Sequence, residues 1–375
     1  MDLKKTHLFI IAQEPSGDLH GAELVKALKE KAPSLHVTAI GGPHMRELDV
    51  EMVGKMEDFM VMGFWDVLLA LPRLIRLFFR VKRKILSLNP QGVICIDYPG
   101  FNLRLERSLR KSGYPGTLIH YICPTVWAWG KKRIPILAKN LDLLLTLFPF
   151  EPASFAHTTL TVKYVGNPLL FLIQNHAYKQ ISLKKDPALS LVALFPGSRD
   201  TEILRNLPLQ LQAVKGLPVQ IAISCKNFVL IKKILKEEGV STATLIHPQE
   251  NYDLMKHTDF AIATSGTITL ELALHLVPTI VTFAIKRWDQ FLAQKIFRID
   301  LPHYCLVNIL AQKRIFPELF GTELTLRKLQ KTAATFLQEE KRDSCRKECA
   351  ILPTLLKGDN PPQKAAEAIL WKMLP

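Results

Sequence analysis

The sequence predicts an α/β fold of two domains, each a parallel sheet covered by helices, followed by a helical tail. Three observations predict it. Short apolar runs of strand length alternate with helix-length stretches along most of the chain, the pattern of repeated strand–helix–strand units. The two halves open alike, each with an apolar run passing into a Pro/Gly/Ser turn: IIAQEPSGD in the first and VALFPGSRD in the second. The chain's 375 residues, 48% of them hydrophobic, exceed what a single core of roughly 250–300 residues holds.

In the first half, His7–Ala12, Val37–Gly41, Val93–Ile96, Thr117–Tyr121 and Asp142–Phe148 read as buried strands, with helices at Gly21–Lys31 and Pro72–Leu88. Strands covered on both faces show continuous apolar runs instead of alternation, and these do. Gly166-Asn167-Pro168 then breaks the pattern and a polar stretch, Lys184–Pro187, follows, so the join falls within Gly166–Leu189. The second half repeats the scheme with strands at Leu191–Phe195, Val219–Ser224, Thr244–Ile246, Phe260–Thr264 and Thr279–Phe283. Its helices lie at Glu202–Val214, Phe228–Glu238 and Thr267–His275. Beyond Thr325 the pattern is helical and charged. The expected division is a first domain over 1–168, a second over 190–325, and a tail over 326–375 that packs on the body or on a partner. A homodimer is therefore left open.

A formal net charge of +15 calls for an anionic partner: nucleic acid, anionic lipid or a phosphorylated substrate. The basic residues are scattered, and no aromatic platform or reading helix emerges, so nucleic acid is not the expected one. The six cysteines lie mostly in apolar runs and read as small core residues of a protein in a reducing cytoplasm. The opening MDLKKTHLFIIAQEPSGD is not read as a signal peptide, because its short apolar run passes directly into a strand-turn-helix signature. The most apolar long stretch, Val61–Phe79, contains Asp66, Pro72, Arg73 and Arg76, which argue against a spanning helix.

Four turns are candidates for chemistry. Glu14-Pro15-Ser16-Gly17-Asp18 follows the first strand, where ligands of open α/β sheets bind, although Ser16 or Asp18 would equally serve as a helix cap. Asp97 ends the run Ile94–Ile96. A carboxylate there suits a general base or a plain loop acid. In Pro196-Gly197-Ser198-Arg199 the glycine lets backbone approach a ligand, and Ser198 and Arg199 suit a phosphate. Thr264-Ser265-Gly266-Thr267 joins a buried strand to a helix whose N-terminus offers N–H groups to a diphosphate. Glu271, one turn on, suits ribose hydroxyls or solvent. Asp-x-Asp and clustered metal-ligand spacings are missing from the sequence, so no metal or other cofactor is expected.

Leu71–Leu86 differs in character. Arg73, Arg76, Arg80 and Lys84 share one helical face, and Leu71, Leu74, Ile75, Phe78 and Ile85 the other. Phe64, Trp65, Val67, Leu68 and Leu69 extend the apolar run ahead of it. Such a helix suits an anionic membrane surface or acyl chains, against the commoner reading of a core-facing helix. Trp127, Trp129 and Lys131-Lys132-Arg133 line a cleft or simply pack. His120 reads as a satisfied core histidine.

Taken in order, EPSGDLHGAELVKALK, GGPHMR, VMGFWDVL, IDYPGFN, HYICPTVWAWGKKR, FPFE, LFPGSRDTEI, ATSGTITLELAL and VNILA resemble the lipid-A-disaccharide synthase family from about Phe9 to Ala311. The resemblance implies a GT-B fold, two Rossmann-like domains facing across a cleft. It also implies an inverting glycosyltransferase that joins UDP-2,3-diacylglucosamine to 2,3-diacylglucosamine 1-phosphate, giving a β-1,6-linked disaccharide and UDP on the cytoplasmic face of the inner membrane. By the same resemblance Asp97 is the base for the acceptor 6-hydroxyl, with Glu14 and Ser16 near the reacting centre. Ser198, Arg199, Ser265, Gly266, Thr267, Glu271 and Asn308 hold the UDP donor. Phe64, Trp65, Leu68, Leu69, Phe78, Arg73, Arg76 and Arg80 meet an anionic phospholipid surface and acyl chains. Pro15, Gly100 and Ile309 depart from the family's usual Ala, Asp and Leu. Another UDP-sugar transferase or epimerase, and a non-catalytic lipid-binding relative, are the competing readings.

Overall fold

The computed structural model describes residues 6–59, 64–127, 130–181, 183, 185–284, 302–357 and 360–373, with residues 64–70 entering only through the course of their helix. The chain divides into two units, Met1–Pro168 with Lys357–Pro375, and Leu169–Leu356.

Unit 1 is built on a sheet of seven strands in the order β3-β2-β1-β4-β5-β6-β7. The strands are β1 (His7–Ala12), β2 (His36–Gly41), β3 (Glu51–Lys55), β4 (Gly92–Ile96), β5 (Thr117–Tyr121), β6 (Leu143–Thr146) and β7 (Thr161–Tyr164). All neighbours pair in parallel, with Leu8 opposite Val37 on one side and Gly92 on the other. Successive side chains of β1 serve opposite faces. Leu8, Ile10 and Ala12 pack with Leu24 and Leu28 of α1 (Pro15–Lys31). Phe9 and Ile11 pack with Ile85 of α2 (Phe64–Leu88) and with Leu105 and Leu109 of α3 (Pro99–Lys111). Each fully buried side chain of this kind is worth about 1.5–3 kcal/mol.

Unit 2 repeats the design with six strands in the order β10-β9-β8-β11-β12-β13. These are β8 (Ser190–Phe195), β9 (Val219–Ser224), β10 (Ala243–Ile246), β11 (Phe260–Thr264), β12 (Thr279–Phe283) and β13 (Glu318–Phe320). The helices that carry its site are α4 (Asp200–Val214) and α5 (Thr267–Leu274). The predicted α/β class with parallel sheets is what the structure has.

The helices beyond Leu326 divide between the units. Leu326–Thr335, Glu339–Cys349 and Leu352–Leu355 belong to unit 2, where buried Arg342 bonds the Phe336 carbonyl at 2.9 Å. The last helix, α6 (Pro361–Met373), lies on α1 in unit 1: Ala365 and Ile369 join the β1 core and Lys31 pairs with Glu367 at 2.9 Å. The sequence reading named neither β3 nor β7 nor β13. All three are edge strands and short, with few core-facing side chains, so their hydropathy carries little strand signal.

Candidate active site

Both sheets reverse their strand order beside their first strand, between β1 and β4 in unit 1 and between β8 and β11 in unit 2. The crevice outside the carboxyl ends at such a reversal is where open α/β sheets bind ligands. All four candidate turns follow these four strands: Glu14–Ser16 after β1, Asp97 after β4, Ser198–Arg199 after β8 and Ser265–Thr267 after β11.

In unit 1, Glu14 is the extended residue that precedes α1 and Ser16 stands exposed in its first turn. Neither Ser16 nor Asp18 caps this helix. Asp18 is fully buried and instead accepts the N–H groups of Gly42 at 2.6 Å and His44 at 2.9 Å, fixing the loop after β2. Asp97 and Tyr98 both sit in left-handed backbone, at φ 47° and 48°, and Ile122 past β5 at φ 76°. Non-glycine residues in this region are strained and gather at functional sites. The Asp97 loop is held from behind. Its N–H bonds the Tyr121 carbonyl at 2.9 Å, and its own carbonyl accepts from the Asn102 side chain at 2.7 Å. Asn102 in turn exchanges two hydrogen bonds with Gln13, the residue before Glu14, and both amides are buried. One buried amide pair thus ties the two candidate turns together. Burial holds the Asp97 carboxyl above the usual carboxylate range, opposed by the charge of His120 and by the Tyr98 N–H. Beside it, Gly100 has open space where a side chain would stand.

In unit 2, a cleft of about 390 Å³ is lined by Gly197, Ser198, Arg199, Ser265, Gly266, Thr267 and Glu271. Gly197 has φ 122°, and a Cβ there would come within 2.6 Å of Glu202, so only glycine fits. The N–H groups of Ser198 and Arg199 converge on one Glu202 oxygen at 3.0 and 3.4 Å, and the Arg199 guanidinium pairs with the other at 2.9 Å. The turn is thus already folded around a carboxylate. Across the cleft, α5 starts at Thr267 with no side chain capping it, so its positive end faces the cavity. The Thr264 hydroxyl, also lining the cleft, is buried and finds no partner among the described residues. Burial pushes the Glu271 carboxyl up to about 7. These groups suit a diphosphate with hydroxyls beyond it.

Asn308 does not reach this cleft. Its side chain is fully buried, donating to the Phe316 carbonyl at 2.9 Å and accepting from the N–H groups of Ile315 at 2.8 Å and Phe316 at 2.9 Å. These three hydrogen bonds hold a turn, and Asn308 is not among the residues lining the cleft. The cleft also draws in Ser224 and Lys226 from the exit of β9 and Asn251 from the start of the helix Asn251–His257, none of which a sequence motif marks.

On α2 the apolar side splits in two. Leu77, Val81 and Ile85 are buried against the sheet with Phe78 packed beside them, while Leu71, Ile75 and Phe79, four residues apart, are 47%, 47% and 53% exposed. Arg73, Arg76 and Arg80 lie on the exposed remainder. A core-facing helix explains the first row and leaves the second unexplained. The side chains of Phe64, Trp65, Leu68 and Leu69, and all of Trp129, lie outside the described residues. Trp127 packs edge-on against Phe150 at 5.2 Å and donates to Glu151. No helix among the described residues is long and apolar enough to cross a membrane.

Solved structures share this architecture. Acinetobacter baumannii MurG superposes with a TM-score of 0.57 at 13% identity, covering 98% of this chain and 99% of that one. CalG4, the calicheamicin glycosyltransferase, gives 0.57 at 12%, covering 98% and 98%. A putative UDP-N-acetylglucosamine 2-epimerase from Listeria monocytogenes gives 0.59 at 14%, covering 98% and 95%. The fold is therefore that of the GT-B glycosyltransferases. In sequence, the lipid-A-disaccharide synthase of Chlamydia trachomatis serovar D is 40% identical over 356 residues, covering 90% of this chain and 58% of that protein. That of Chlamydia pneumoniae is 39% identical over 366 residues, covering 93% and 60%. This chain thus spans about three-fifths of the chlamydial relatives. The synthase of Syntrophus aciditrophicus is 34% identical over 325 residues, 83% of each protein. With the family described as lipid-A-disaccharide synthetase matching residues 8–369, the chain belongs to that family.

Proposed function

We propose that the chain is an inverting glycosyltransferase that condenses UDP-2,3-diacylglucosamine with 2,3-diacylglucosamine 1-phosphate, releasing UDP. The observation that carries this is the placement of two complementary chemistries at the two strand-order reversals: a carboxylate in unit 1 and an anion cradle in unit 2. In this reading Asp97 takes the proton of the acceptor 6-hydroxyl as it attacks the anomeric carbon, with Glu14 and Ser16 ordering the acceptor. The diphosphate leaves with its charge met by the α5 N-terminus, the Ser198 and Arg199 turn, and the Ser265–Thr267 backbone. Such charge stabilisation is usually the largest single contribution to a transfer of this kind. Glu271 takes the ribose hydroxyls.

The lipid character of both substrates is supported by α2. Leu71, Ile75 and Phe79 form an apolar row flanked by arginines, as a helix seated in an anionic bilayer surface requires. The reading places the protein peripherally on the cytoplasmic face of the inner membrane. Replacing all three by serine is expected to leave folding intact, since none enters the core. Partition onto phosphatidylglycerol-containing vesicles should fall at least 100-fold, because each lost side chain removes about 1.5–3 kcal/mol of apolar burial. Unchanged sedimentation with vesicles would remove α2 from membrane contact.

The activity test is direct. Purified protein given both diacylated substrates should release UDP and form a disaccharide 1-phosphate, and give no turnover with UDP-N-acetylglucosamine alone. Epimerisation of that unacylated sugar would favour the epimerase reading instead.

A further inference from the structure

Beneath Asp97 lies a pair of ionisable groups that the transfer as described does not use. His120 on β5 is fully buried, and its Nδ1 lies 2.6 Å from Oε1 of Glu106, which is 1% exposed on α3. Their surroundings are apolar: Leu105, Leu109 and Leu118 share that face of the sheet. A histidine–carboxylate pair in such an interior costs more to desolvate than a pair of leucines would, so stability does not account for its presence. The second ring nitrogen, Nε2, is buried and bonds no group among the described residues. A core histidine kept only for packing would have both nitrogens satisfied or be replaced by an apolar residue.

The strand register shows what the pair serves. His120 pairs with Cys95 across β4 and β5, and the ladder continues one step further through the Asp97 N–H to the Tyr121 carbonyl. The imidazole therefore sits directly behind the loop that presents Asp97, and its charge acts on that carboxylate. Glu106 is held from the sheet side as well, because the Cys95 thiol, kept protonated by burial and by the Glu106 charge, hydrogen-bonds it. Tyr98, beside Asp97, gives it a backbone hydrogen bond, and the charge of Glu14 reaches Tyr98.

We propose that His120, anchored by Glu106 behind the loop that carries Asp97, is a positioning residue for the Asp97 carboxylate. The inference rests on Asp97 being the base of the proposed transfer. Without His120 only the Tyr98 N–H opposes desolvation, and Asp97 holds its proton to higher pH.

The test is the pH profile of kcat/KM for transfer between the two diacylated substrates. In His120→Asn the acid limb is expected to move up by about one pH unit, with activity recovering at high pH and KM for the UDP donor unchanged. Glu106→Gln keeps the side-chain shape but removes the carboxylate that anchors the imidazole. It should shift the limb the same way, and it stands as the test should His120→Asn fail to fold. An acid limb that stays put in the folded variants, or a uniform loss at every pH, would overturn the inference and leave the pair a structural one. Asp97→Asn separates the two levels. If that variant still transfers, the base assignment itself is wrong. If it is inactive while the limb of the other two is unmoved, only the role of His120 falls.

Discussion

Asp97→Asn is expected to lower sugar transfer by about 1000-fold while leaving UDP-donor affinity within twofold of the parent. A positioned general base typically contributes 10²- to 10⁴-fold, and this substitution removes the proton-accepting oxygen with almost no change in shape. Asparagine also tolerates the left-handed backbone that Asp97 adopts at φ 47°, so the loop tied down by Asn102 and Tyr121 survives. Alanine would add backbone strain to the chemical loss and is the poorer probe. Donor affinity should hold because the anion cradle is built from unit 2 alone. Since burial holds Asp97 above the usual carboxylate range, the parent should lose kcat/KM as pH falls through that raised value, and not only near pH 4. Stopped or steady-state UDP release with both diacylated substrates measures the effect. A variant with near-parental turnover would place the base elsewhere.

The second large effect is at Glu271. Its carboxyl is pushed up to about 7 by burial, so in the empty protein it is about half protonated at neutral pH. The ionised form is the stronger acceptor for ribose hydroxyls. Affinity for UDP-N-acetylglucosamine, whose diphosphate has no proton to lose in this range, should therefore rise as pH increases through about 7 and level off above it. Glu271→Gln should weaken binding by about 10- to 100-fold at pH 8, since hydrogen bonds to a charged acceptor are worth about 1.5–3 kcal/mol, and it should flatten the pH dependence. The sign for stability is opposite. A carboxyl whose folded value lies above its unfolded 4.5 binds more protons in the folded state, so stability falls as pH rises from about 4.5 to about 7. The glutamine variant is then expected to bind more weakly yet melt at a higher temperature at pH 8. Calorimetric titration and thermal unfolding at pH 6 and 8 check both. Parental affinity with a parental pH slope would remove Glu271 from the donor site.

Much of this was legible in the chain before any coordinates. The buried parallel strands announce themselves because both faces are covered, as with His7–Ala12 and Phe260–Thr264. The turns at Glu14, Asp97, Gly197 and Ser265 were legible because polar and glycine residues interrupt apolar runs at the ends of two strands in each unit. What the sequence hides is the part made by distant residues. Gln13 and Asn102 are 89 residues apart, and Glu106 and His120 are 14 apart on different elements, so no local pattern links them. A lone histidine in a strand reads as core packing, and His120 is indeed in the core, but that its Nε2 finds no partner among the described residues is visible only in three dimensions. At Asn308 the motif suggests a ligand contact, and what the sequence hides is that its side chain also closes a turn through three hydrogen bonds. The split of the apolar side of α2 is likewise invisible to periodicity, which records hydrophobicity and not which half of it the sheet covers.

The position of the leaving nucleotide decides whether the cleft of unit 2 is the donor site. A crystal structure of the protein soaked with UDP should show the diphosphate against the N–H groups of Ser265–Thr267 and the Arg199 guanidinium, with Arg199 turned away from Glu202 and the ribose on Glu271. UDP bound at any other place on unit 2, with the Gly197 and Ser265 turns empty, would contradict it.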